Sequence, residues 1–246
     1  MSAEELETEI SKLVDDIKKQ DFQGTDEEIK IQQIMYFDKY VKDNIDYGFD
    51  AINFSLKYPN AKNPYESAYR DEGFFMENET NGKRIAVCGS ISSIADQVFD
   101  KLGIDSDYIW GHINVGSNDK PSYIGHRWNS VSIGNNSYMV DFTIGMIIHN
   151  ILKDEAYMQG ASQLVDSADL GNEFRYLFFD KLSSRESIGG FKKDERGRTI
   201  DDISENGSLN SATTDAHDIL ENLESIPTEY LATISKYVDN KHEKSL

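Results

Sequence analysis

The sequence predicts an α+β protein. An apolar stripe at helical spacing opens at the lone cysteine, Cys88, and closes at Gly103; from there to about residue 143 the apolar period changes to two. A helix followed by neighbouring alternating strands places that helix on one face of an antiparallel sheet.

The elements follow in order. Leu6, Ile10, Leu13, Val14 and Ile17 recur at helical spacing among charged residues, so residues 1–24 read as an amphipathic helix and its exit. Thr25 and Glu28 form a capping-box pair, and Ile31, Ile34, Met35, Val41 and Ile45 mark one face of a second helix ending near Tyr47 and Gly48. Residues 49–83 are rich in Asn, Tyr, Gly and Pro without a sustained period, and read as a long structured connection. Ile91, Ala95, Val98, Phe99 and Leu102 give the core helix its stripe, and Gly103 suits a left-handed cap. Residues 108–115 read as a strand, and 126–133 with 136–143 as a hairpin. Beyond 150, residues 151–164, 173–182 and 215–239 read as helices, the last bent at Pro227. The charged, Gly- and Ser-rich stretch 185–212 reads as mobile. The expected organisation is an N-terminal helix over 1–24, a core over 25–150 and a mostly helical extension over 151–246.

Composition narrows the function. With 44 Asp and Glu against 25 Lys and Arg, the net charge is −19, and the long-range field repels nucleic acid and anionic lipid. No apolar run approaches the roughly eighteen residues of a membrane span, and the first residues lack a signal-peptide pattern. A cytoplasmic protein, or one exported without such a signal, is expected. One cysteine rules out an internal disulfide and any multi-cysteine zinc site. The acidic clusters lack the spacing of a calcium loop, so neither metal nor cofactor is expected.

Three residues carry chemistry in order along the chain: Cys88, His126 and Asp141. A thiol at a helix N-terminus feels the partial positive charge of unpaired amides, which favours thiolate. A histidine can take and return its proton, and an aspartate can orient that histidine. The hairpin register decides whether His126 and Asp141 meet. If Gly134 and Asn135 form the turn, Ile133 faces Asn136, Asp141 faces Trp128, and Asp141 is the diagonal neighbour of His126 at about 7–8 Å. If Asn135 and Asn136 form it, the two lie about 13 Å apart and the trio fails. Trp128 shares the face of His126, either as core packing or as a substrate-binding wall of the acyl site. Arg127 alternates to the other face. The oxyanion would sit near the Cys88 amide; for a second donor, the connection offers Tyr65, Tyr69 and Asn81 without choosing among them. His112 reads as an ordinary strand histidine, and His149, His217 and His242 lack evident partners.

The run Val87-Cys88-Gly89-Ser90, then Leu102-Gly103-Ile104, Tyr108-Ile109-Trp110-Gly111, Gly125-His126-Arg127-Trp128-Asn129-Ser130-Val131 and Val140-Asp141-Phe142-Thr143 resembles the transglutaminase-like superfamily over about residues 28–146. The resemblance implies a papain-like core in which a cysteine starts a helix packed on an antiparallel sheet, with Cys88, His126 and Asp141 as the catalytic residues. The chain departs from the family's habit at Val87, where glycine is common, at Arg127, where a small residue is common, and at Ser137 and Tyr138, in the region where a tryptophan is common. The expected activity is a thiol-dependent hydrolase of peptide, isopeptide or glutamine side-chain amide bonds acting on a protein or peptide. The alternatives are amine transfer to glutamine and a non-catalytic protein-binding module on the same fold.

Overall fold

The structure is a computed structural model that describes residues 1–114, 123–143 and 146, together with the main chain of four short strands at 178–182, 192–193, 199–200 and 214–215. It is an α+β fold. Helices α1 (Ala3–Lys18), α2 (Asp26–Asn44), α3 (Phe49–Lys57) and α4 (Cys88–Leu102) accompany a two-stranded parallel pair, β1 (Asp46–Tyr47) with β2 (Ile85–Ala86). The main sheet is built on β3 (Ser106–Asn114), β4 (Tyr123–Ile133) and β5 (Asn136–Val140).

Both N-terminal helices open on reciprocal caps. Thr25 N donates to Glu28 Oε2 at 2.8 Å while Glu28 N donates to Thr25 Oγ1 at 3.3 Å, and Ser2 with Glu5 repeats the arrangement. Helix α1 buries Ile10, Leu13, Val14 and Ile17 in the same apolar cluster as α2, α4 and the sheet. Helix α2 stops at Asn44, slightly earlier than its apolar period suggests, because Ile45 turns extended to lead into β1.

The connection 49–83 holds more helix than its composition indicates: α3 and two 3-10 turns, Glu66–Tyr69 and Asp71–Phe74. Only Ala51 of α3 is fully buried, so the helix leaves no continuous core-facing stripe to read. The second 3-10 turn passes so close to the first that a Cβ on Gly73 would meet Ser67 O at 2.2 Å. Phe74 follows at once and stacks on Phe37 at 6.0 Å, and Phe37 meets Phe99 and Phe142 edge-on at 5.4 and 4.9 Å. One aromatic cluster therefore joins α2, the connection, α4 and the residue after Asp141.

The start of α4 is clamped to the first 3-10 turn. Ala68 O accepts from Val87 N at 3.0 Å and from Ser90 Oγ at 2.8 Å. Ser90 Oγ also accepts from Val87 N at 3.2 Å. At the far end Gly103 adopts φ +72, the left-handed cap its position suggests. Helix α4 lies against β3 and β4, where Asn129 Nδ2 donates to Ser92 O at 3.0 Å.

In the main sheet β4 pairs antiparallel with β3 and β5. The hairpin pairs Ile133 with Asn136, so Gly134 and Asn135 form the turn and the register with adjacent His126 and Asp141 is the one adopted. Gly134 has φ +58, as a glycine-first turn of type II′ requires. The strand ends at Val140, short of Thr143, because Phe142 and Thr143 are helical.

Two expectations are corrected. Phe178–Leu182, expected within a helix, forms strand β6, antiparallel to β5. The aromatic residues in this run suit a strand, and the edge of β5 offers main-chain partners that override helical spacing. Within 185–212 the described residues are β7 (Lys192–Lys193) and β8 (Thr199–Ile200), and β9 (Thr214–Asp215) includes the first residue of the expected last helix. Strands β8 and β9 pair parallel with β3, so the sheet is mixed rather than purely antiparallel, in the order β6-β5-β4-β3-β8-β7 with β9 also on β3. The helices expected at 151–164 and over most of 215–239 lie outside the described residues, as do His149, His217 and His242. Among the described residues no helix is long and apolar enough to cross a membrane.

Two substitutions test this framework by urea denaturation. Gly73→Ala should destabilise by about 2–3 kcal/mol or more, because the atoms in its way are main chain and cannot rotate aside. Ser90→Ala should cost about 1–3 kcal/mol with an unchanged m value, through loss of a buried hydrogen bond to Ala68.

Candidate active site

Cys88, His126 and Asp141 come together where the N-terminus of α4 meets the end of β4 and the exit of β5. Cys88 is the first residue of α4, and its N-cap is Val87, whose side chain accepts no hydrogen bond. The cap position therefore leaves the first amides of the helix without a side-chain partner, facing the thiol. Val87 fits because its neighbour across the β1–β2 ladder is Gly48. A Cβ on Gly48 would meet Val87 Cγ1 at 3.0 Å and Ala68 Cβ at 3.1 Å.

His126 Nε2 lies 2.6 Å from Asp141 Oδ2. The other carboxylate oxygen, Oδ1, accepts from Thr143 N at 2.9 Å, which fixes the carboxylate from behind. Phe142, between them, is anchored in the aromatic cluster around Phe37. Asp141 is 1% exposed and His126 5%, so their interaction is little screened by water. With Nε2 committed to Asp141, Nδ1 is the ring nitrogen that meets the Cys88 thiol.

The electrostatics work against burial and overcome it. Burial pushes the Cys88 thiol up, yet a hydrogen bond to His126, the imidazolium charge and Arg127 bring it below the ordinary thiol value. Burial likewise pulls His126 down, and the Asp141 carboxylate followed by Cys88 pushes it up to about 10. Each group is held in its charged form by the other.

These residues open onto a cavity of about 960 Å³, lined by Cys88 and His126 together with Tyr47, Leu56, Tyr69 and Arg127 among others. Trp128, expected either as core or as a wall of the acyl site, is core: it is 1% exposed, lies outside the cavity lining, and packs against His126 with ring centroids 5.7 Å apart. Its place is behind the imidazole. Arg127 lies on the outer face as alternation requires, with its guanidinium 4.9 Å from the Trp110 ring opposite it. Its long stem nevertheless passes Gly89, where an added Cβ would meet Cδ at 3.2 Å, and so its charge reaches the thiol. His112 sits in β3 opposite Gly125.

Of the second-donor candidates, Asn81 turns its side chain back onto Lys83 N at 3.1 Å, and Tyr65 packs with Ala51 and Ala68. Tyr69 lines the cavity and is 44% exposed. Tyr47, which sequence reasoning passed over, lies against Cys88 itself. Burial, the thiolate charge and a hydrogen bond to the Cys88 side chain push its phenol well above the ordinary range. Its signal was the end of an amphipathic helix, which names no contact forty residues away. Among the described residues no group of three or more His, Cys, Asp or Glu side chains is placed to hold a metal ion.

No family model matches the chain, and no curated protein matches it. Among solved structures the chain is similar to one described as the crystal structure of a TGase, at 19% identity and a TM-score of 0.42. The similarity covers 58% of this chain and 33% of the other, so the chain spans about a third of that structure's length.

Proposed function

We propose that this chain is a thiol acyl-transfer enzyme in which Cys88 attacks the carbonyl of an amide in a protein or peptide. The observation that carries the reading is the buried His126–Asp141 pair facing a thiol at an uncapped helix N-terminus on the wall of a cavity. Thiolate sulfur bonds to the acyl carbon, the carbonyl electron pair moves to oxygen, and collapse expels an amine that takes its proton from the His126 imidazolium. Asp141 keeps the ring oriented and its charge balanced through both steps. Water then attacks the acyl-enzyme with His126 as base, regenerating the thiol. Hydrolysis is the proposed outcome, with amine transfer to the acyl-enzyme as the alternative.

The test is the rate of iodoacetamide alkylation of the folded protein between about pH 4 and 10, set against the ordinary thiol pKa of about 8.5. Wild type should alkylate well below that value, and His126→Ala should return the profile to an ordinary thiol. A slow rate that follows an ordinary or raised pKa and ignores both His126→Ala and Asp141→Asn would sink the enzyme reading.

Asp141→Asn should act through charge. Removing the carboxylate lets His126 fall from about 10 toward its ordinary value, while the thiol is freed of a negative charge that raises it. The midpoint of the His126 ring-proton titration followed by NMR should therefore move to lower pH in the variant.

A further inference from the structure

We propose that the Tyr47 hydroxyl is the second donor to the oxyanion formed when Cys88 attacks an acyl group, acting beside the Cys88 main-chain amide. The inference rests on the acyl-transfer reading and adds a catalytic residue to it.

The placement comes from the small parallel ladder. Tyr47 in β1 stands opposite Ala86 in β2, and Gly48 N donates to Ala86 O at 3.0 Å. That register sets the phenol beside the residue two positions further on, which is Cys88. The crossing is tight, since any Cβ on Gly48 runs into Val87 and Ala68, and the Phe49 ring lies edge-on to Tyr47 at 4.7 Å. Tyr47, Cys88, Gly89 and His126 line the same cavity. The thiol and the main chain of Cys88 are both near enough to act on the ionisation of the phenol.

The phenol therefore stands on the same cavity wall as Cys88, beside the space where the oxygen of a tetrahedral intermediate must go. As the carbon–sulfur bond forms, the sulfur gives up its charge, and the same charge appears on the carbonyl oxygen. The phenol turns its proton toward that oxygen. The proton remains on Tyr47 throughout, because burial and the nearby negative charge keep the phenol far from ionising. When the intermediate collapses, the electron pair returns to the carbonyl, the amine leaves with the His126 proton, and the phenol is released.

Tyr47→Phe removes the donor and keeps the ring. Two probes separate its roles: p-nitrophenyl acetate acylates the thiol through an oxyanion, whereas iodoacetamide alkylates it by displacing iodide and forms none. The substitution should slow burst acylation by about 10²-fold, the loss seen when one oxyanion donor is removed. Alkylation at about pH 10, where the thiol is ionised with or without the phenol beside it, should stay within about threefold of wild type. Acylation within about twofold of wild type, with alkylation intact, overturns the role of Tyr47 alone. Equal losses in both probes also overturn it, since Tyr47 would then support the thiolate. A wild-type thiol that alkylates as an ordinary one, indifferent to His126, instead fails the acyl-transfer reading on which the role depends.

Discussion

The carbonyl of Ala68 fixes where α4 begins, and the site depends on that one point. It receives both Val87 N and Ser90 Oγ, so the last residue before the helix and the third residue within it are bound to the same atom. Cys88 is left between them with little freedom to rotate or fray. The clamp needs the 3-10 turns to press close behind it, which explains why Gly73 has no space for a side chain and why Gly48 faces Val87. A stretch of chain that reads as mere connection thus positions the thiol.

The partner groups are set by an independent anchor. Asp141 leaves the sheet just where β5 ends, and Phe142 enters the cluster of Phe37, Phe99 and Phe74 that fills the space between the helices. Dispersion and area burial in that cluster hold the carboxylate at the height of His126, while Trp128 supports the ring from the sheet side. Rigid placement matters here because burial alone would neutralise both Cys88 and His126. Their mutual attraction prevails only at short, fixed distance.

Much of this was legible in the sequence where the information is local. The stripes of α1, α2 and α4, the cap at Thr25, and the period-two strands all report contacts within a few residues. The hairpin narrowed to two registers, and Gly134 is the residue whose backbone freedom selects the one adopted. What escaped was non-local. Tyr47 meets Cys88 through a two-residue strand pair, too short to leave a period. Helix α3 hides because only one of its apolar residues is fully buried, and Arg127 reaches toward the thiol by the length of its stem although its Cβ points away. Helical spacing at 173–182 gave the wrong element for Phe178–Leu182, because an unpaired edge of β5 outweighs an intrinsic preference that was weak to begin with.

The charge state of the Cys88–His126 pair leaves the proton inventory of folding unchanged. A histidine whose pKa is raised in the folded state contributes stability that is complete below its unfolded value, about 6.5, and fades as pH climbs toward about 10. A cysteine whose pKa is lowered contributes stability that is complete above its unfolded value, about 8.5, and fades toward acid. Where the lowered thiol has given up its proton and His126 still holds its own, the native pair carries one proton, on nitrogen, and between the unfolded values the unfolded pair also carries one, on sulfur. In that window folding relocates a proton without drawing it from solvent or giving it up, and this pair adds no slope to stability. The dipole created between sulfur and imidazole is an internal isomerisation of the chain, silent to any titration that counts protons and visible only to a probe that distinguishes the atom carrying them.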